Sequence, residues 1–179
     1  MKKLILSAFI LLAGLTTANA QTPISYSEVV QVEGATKDEL YQRAKNWFVD
    51  TFRSANDVIQ LDDKENGQIV GKGNFSYSQK VTWAAVANNT IRFTAAITIK
   101  DGRYKYEFSN FEHSMAVPGT PLNLGLITDA EPIRKGFPKK TIEKIYVEAV
   151  QEIADNVASL SVSLKSAMAS PTQAQSNDW

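Results

Sequence analysis

"TIRFTAAITIKDGRYKYEFSNF", residues 90–111, carries the pattern on which the fold rests. Its odd positions Ile91, Phe93, Ala95, Ile97 and Ile99 are apolar, while the even ones are Arg92, Thr94, Ala96, Thr98 and Lys100. A period of two belongs to a strand with one face buried. Asp101-Gly102 then supplies the dipeptide preferred by a type I′ hairpin, in which both central residues need positive φ. A two-residue turn there pairs Lys100 with Arg103, Ile99 with Tyr104, Ile97 with Tyr106 and Ala95 with Phe108. Apolar meets apolar at each step, and a slip of one residue would send every greasy side chain to the other face. Beyond Phe108 the apolar parity moves to Phe111, which predicts a bulge or a strand end around Ser109 and Asn110.

Upstream, Ser25 to Glu33 alternates with Tyr26, Val30 and Val32 on one side, although Glu28 interrupts that side. Thr36 and Glu39 then have the spacing of a capping box, and Leu40, Ala44, Trp47, Phe48 and Thr51 follow at helical steps. This predicts a helix ending near Arg53. Ile59 and Leu61 begin a strand, Asp62 to Gly67 make a turn ending in Asn66-Gly67, and a second strand starts at Gln68. The "GQIVGKGNFSY" stretch (67–77) contains a Gly-x-Gly, yet it lies on a strand. A dinucleotide loop needs a third glycine and a following helix, and a P-loop needs Gly-Lys-Ser/Thr opening one. Read with period two, Ile69, Gly71, Gly73, Phe75 and Tyr77 share one face. Two glycines there let a helix lie close to the sheet or let the strand bend. Val81, Trp83 and Ala85 could extend a strand, and Asn88-Asn89 reads as a turn.

Met115 to Lys139 is a long connection with four prolines and several leucines and isoleucines. It is expected to pack over the body, with a functional lid as the alternative. A second helix is expected from Lys140 to at least Leu164, striped by Ile142, Ile145, Tyr146, Ala149, Ile153, Val157, Leu160 and Leu164. Residues 166–179 read as a disordered tail. At the other end, Lys2 and Lys3, the apolar run Leu4–Leu15 and Ala18-Asn19-Ala20 have the three parts of a secretory signal, so residues 1–20 are expected to be removed. The apolar run is shorter than the about 20 residues needed to span a bilayer, and no membrane span is expected after cleavage. A periplasmic or secreted location follows. The sequence has no cysteine, which excludes disulfides, thiolate metal sites and a lipid-bearing cysteine.

The order β-α-β-β-β-β-α gives an α+β fold over residues 21–165, an antiparallel sheet with both helices on one face. The secretory signal without cysteine, the "GQIVGKGNF" strand and above all "KDGRYKYEFSNFEH" resemble a family of exported Bacteroidetes proteins known as a domain of unknown function with a TATA-binding-protein-like (TBP-like) fold. The likeness covers most of Ser25 to about Leu164 and is strongest from Ile97 to Phe111. It implies the fold and carries no catalytic residues with it. Nor does the fold's name import DNA binding, since function belongs to sites. Without Lys2 and Lys3 the chain has 17 basic against 19 acidic residues, far from the cationic footprint nucleic acid requires.

No catalytic, metal or cofactor site is expected. His113 is the only histidine and reads as an ordinary strand-end side chain. Asp62, Asp63 and Glu65 lack the calcium-loop pattern, and no nucleophile elbow occurs. Two binding readings are left. In the first, the sheet face turned away from the helices presents Arg92, Thr98, Lys100, Arg103 and Lys105, continued by Lys72, Asn74 and Ser76, as a platform for a protein partner or an anionic glycan. In the second, Gly71, Gly73, Phe75, Tyr104 and Tyr106 line a pocket between the sheet and the long helix for a small hydrophobic ligand.

Overall fold

The computed structural model describes residues 21–52, 58–80, 86–116 and 122–170. Strands β1 (Tyr26–Gln31), β2 (Ile59–Asp63), β3 (Gln68–Lys80), β4 (Val86–Lys100), β5 (Arg103–Ala116) and β6 (Gly125–Leu126) form one antiparallel sheet. The order is β1-β5-β4-β3-β2, with β6 also pairing β5. Helices α1 (Lys37–Thr51) and α2 (Lys139–Ala169) lie across the face formed by the odd-numbered residues of β4.

The register of the central hairpin is the expected one: Lys100 opposite Arg103, Ile99 opposite Tyr104, Ile97 opposite Tyr106, Ala95 opposite Phe108. The shift between Arg92 and Thr94 leaves Asn110 and Phe111 opposite Phe93, a bulge next to the expected Ser109–Asn110, and Asn110 takes φ 56°. Asparagine tolerates that left-handed conformation better than most residues. The strand continues past the bulge to Ala116.

The type I′ expectation needs correction. Gly102 has φ 71°, but Asp101 is not in the positive-φ region. Tertiary bonds hold this turn. The Lys37 N–H donates to Asp101 Oδ1 (2.7 Å), Gly102 N–H donates to Ala35 O (2.9 Å), and Val32 N–H donates to Gly102 O (2.8 Å). The hairpin tip thus seats on the start of α1. There the capping box is complete: Glu39 N–H donates to Thr36 Oγ1 (3.3 Å) and Thr36 N–H donates to Glu39 Oε2 (2.8 Å). Hydrogen bonds from Thr36 hold the Glu39 carboxyl below the usual carboxylate range. Thr36→Ala is expected to cost about 1 kcal/mol in chemical denaturation, with the fold retained because Asp101 still covers the Lys37 N–H.

The long connection packs as expected, burying Leu122, Leu124 and Ile127, but it also contributes a strand, β6, that the sequence pattern did not announce. Asn88 and Asn89 are not a turn: both lie within β4, opposite Ser78 and Tyr77. The strand expectation for Val81, Trp83 and Ala85 lies outside the described residues.

Helix α2 has 31 residues, about 46 Å at 1.5 Å per residue. It runs past the expected domain end at 165, and Met168 is fully buried. Arg43 Nη1 donates to Met168 O (2.8 Å) and Trp47 Nε1 donates to Ser163 Oγ (3.1 Å), tying α1 to this last stretch. Residues 166–169 are therefore helix and not tail. The tail expectation for 171–179, like the leader expectation for 1–20, lies outside the described residues. Among the described residues, no helix is long and apolar enough to cross a membrane.

Glu28, the polar break in β1, has two partners under α2. Its Oε2 accepts from Tyr106 Oη (2.7 Å) and pairs with Lys165 Nζ (2.7 Å). These bonds, Lys165 first, hold the Glu28 carboxyl below its ordinary pKa.

Candidate functional site

The sheet face opposite the helices follows from strand parity. Residues Arg92, Thr94, Thr98 and Lys100 of β4 stand beside Arg103, Lys105 and Glu107 of β5, with Lys72, Asn74 and Ser76 of β3 on the other side. Thr98 is opposite Lys105, Lys100 is opposite Arg103, and Val29 of β1 is opposite Lys105 on the far side. These residues surround a shallow depression of about 310 Å³ lined by Val29, Thr98, Lys100, Arg103, Tyr104 and Lys105. Four of the five expected platform residues are thus brought together. Arg92 is separated from them: it stands opposite Glu112, in a second depression of about 380 Å³ with Lys72, Thr94 and Asn110.

Charge in the first depression is poorly compensated. Lys105 Nζ pairs with Glu107 Oε2 at 3.1 Å, an ion pair about half exposed and so worth little. Among the described residues, neither Lys100 nor Arg103 has an ion-pair partner. Val29, 55% exposed, supplies an apolar floor. Val29 is the one apolar residue on the outward side of β1, so that parity is its only sequence signal.

The residues of the second reading sit elsewhere. A Cβ on Gly71 would come 2.6 Å from Phe48 Cε1, and one on Gly73 would come 2.6 Å from both Phe52 Cε1 and Phe93 Cζ. The missing side chains make room for rings of α1 and β4, so the expectation that they free volume for a ligand is corrected. Phe75 packs on Phe93 at 6.1 Å between centroids. Tyr104 and Tyr106 lie further along the hairpin, 6.5 Å apart, and burial raises both phenol pKa values.

His113 is also corrected. It is not a strand-end side chain but a buried one, 2% exposed, with Nε2 3.0 Å from Asn89 Oδ1 and Nδ1 accepting from the Leu124 N–H at 3.2 Å. Burial holds its pKa down at about 4. A histidine with both nitrogens committed has no free atom for a substrate. Of the acidic turn, Asp62 pairs with Lys45 Nζ (2.6 Å) and accepts from the Tyr41 hydroxyl, whereas Asp63 accepts from Asn66 N–H (3.0 Å). The two carboxylates are thereby committed to different partners.

Residues 26–114 match the sequence model of a domain of unknown function with a TBP-like fold, DUF4468. Residues 26–114 are a domain of this family. The DUF4468 match spans β1 through all but the last two residues of β5, so the depression at Lys100–Lys105 falls inside it. Two crystal structures extend the likeness to most of the chain. One is a DUF4468 family protein from Bacteroides ovatus ATCC 8483, 16% identical, TM-score 0.59, covering 84% of this chain and 89% of its own. The other is a TBP-like protein from Parabacteroides distasonis ATCC 8503, 16% identical, TM-score 0.57, covering 80% and 93%. At that identity they establish the TBP-like α+β fold. No curated protein matches the chain in sequence.

Proposed function

We propose that this DUF4468 chain is an exported, non-catalytic binding module that holds an anionic partner, a glycan or an acidic protein surface, on the open face of its sheet. The observation that carries it is the cluster of Lys100, Arg103 and Lys105 around Val29 and Thr98, cationic at the rim and apolar at the base. A chain with an acidic balance once its leader is removed has concentrated poorly compensated positive charge in one place. Export rests on the tripartite N-terminal pattern of residues 1–20. The alternative, a carrier of a small hydrophobic ligand between sheet and α2, loses the support of Gly71 and Gly73, whose vacant volume is filled by Phe48, Phe52 and Phe93.

The test is a comparison of binding to anionic and neutral polysaccharides and to acidic and neutral peptides by biolayer interferometry. Lys100→Glu/Arg103→Glu/Lys105→Glu is expected to abolish association, while its unfolding transition stays within about 0.5 kcal/mol of the parent, because exposed charges contribute little to stability. Equal binding by the parent to neutral and anionic probes would refute the reading.

A further inference from the structure

Strand β3 has 13 residues, but β2 covers only Gln68–Gly71 of it, while β4 pairs it all the way to Lys80. From Lys72 to Ser78 no described strand lies on the β2 side. Ile99 N–H donates to Gly67 O (2.8 Å), so the antiparallel alternation turns the peptide groups of odd-numbered β3 residues toward β4. The N–H and C=O groups of Asn74, Ser76 and Ser78 then face outward at the edge, beyond the Ile59–Gly71 bridge that ends the pairing with β2. Lys80 O accepts from Lys144 Nζ (3.4 Å), which closes the far end. Such a row of backbone donors and acceptors is a template for another strand, and proteins commonly blunt it with proline or charge. Between Lys72 and Lys80 there is neither.

We propose that this edge receives an extended, acidic segment of a partner protein by strand addition. Lys72 and Lys80 mark the two ends of the edge on the open face, and Arg92 stands beside it opposite Asn74. A second copy of the chain is disfavoured by the same charges, since antiparallel pairing centred on Ser76 sets Lys72 against the other Lys80. On the helix side, half-buried Phe75 and Tyr77 offer apolar contact. The occupant therefore alternates acidic and apolar residues, acids on the open face. Lys100 lies on β4 at the end of β3 that β2 covers, and Arg103 and Lys105 lie on β5, two strands away, so their reversal leaves strand addition intact and the two binding modes fail separately.

The probes are an eight-residue alternating Glu-Val peptide, its Lys-Val counterpart, and a Glu-Val peptide N-methylated on the nitrogens that face the strand. Amide exchange is read by NMR. The Glu-Val peptide is expected to slow exchange at Asn74, Ser76 and Ser78 by about tenfold or more. Lys72→Glu/Lys80→Glu is expected to weaken it by about tenfold. Ser76→Pro removes an outward N–H and should abolish binding, and the N-methylated probe should fail on the unaltered protein. Protection by Lys-Val equal to that by Glu-Val, retained binding of the methylated probe, or no protection at all overturns the proposal. Concentration-dependent protection of these amides in the protein alone also overturns it, in favour of self-pairing.

Discussion

Gly71→Val is expected to destabilise the fold by about 2–3 kcal/mol, the upper range for forcing extra methyl groups into a packed interior. Already at Cβ the new side chain meets Phe48 Cε1 at 2.6 Å and Val58 Cγ1 at 3.2 Å. Phe48 cannot swing aside cheaply: it is fully buried, with Trp47 at 5.1 Å and Phe52 at 5.7 Å between centroids. A general gain works the other way, since removing glycine restricts the unfolded chain, but that is worth only about 0.4–1 kcal/mol. The steric term wins, and Tm should drop by roughly 5–10 °C for a domain of this size. The mechanism has a sharper test in a double-mutant cycle with Phe48→Ala. If the clash is with that ring, the double variant loses less stability than the two single losses together. Additive losses would show that Gly71 is not the seat of α1.

The same glycines indicate how much of the fold is legible in the sequence. Both the hairpin register and the outward parity of Thr98, Lys100, Arg103 and Lys105 were legible, because local periodicity and an adjacent turn dipeptide constrain one another. Gly71 and Gly73 could be placed on the apolar face, but not assigned to helix or ligand, since the residues that fill them, Phe48 and Phe52, come from α1. Misreadings share that cause. Asn89 looked like a turn because its partner, His113, is 24 residues away. Glu28 looked like a flaw because Lys165 lies at the far end of the chain, and residues 166–169 looked like tail because Arg43 secures them from α1. The φ of Asp101 was misjudged for the same reason, its carboxylate being taken by the Lys37 N–H. Polar residues that settle long-range contacts carry no periodic signal, and β6, only two residues long, has too little sequence to carry any.

Acidification from pH 7 to pH 5 is expected to destabilise the protein by about 2 kcal/mol through His113. Leu124 N–H donates to Nδ1, so the ring proton is on Nε2, which donates to Asn89 Oδ1. Protonating Nδ1 would set one N–H against another, detach Leu124 beside β6, and leave a charge on a side chain 2% exposed. Burial accordingly lowers the folded pKa to about 4 from an ordinary 6.5. A base with a lowered pKa is neutral in the native state, so the unfolded chain takes up the proton first as pH falls. Stability is therefore full above about 6.5, declines from there to about 4, and loses roughly 3 kcal/mol by the end of that window. Glu39, Asp62 and Asp63 also have lowered pKa values, but their unfolded forms titrate near 4, which leaves the interval from 6.5 to 5 to His113. Urea titrations across that interval measure the slope. His113→Gln cannot accept the proton and should flatten it, starting from lower stability at pH 7, while amides around Leu124 in the parent should lose exchange protection ahead of those of β4. A parent protein equally stable at pH 7 and pH 5, or a His113→Gln variant with an unchanged slope, would mean that this buried hydrogen-bond pair does not govern the acid response.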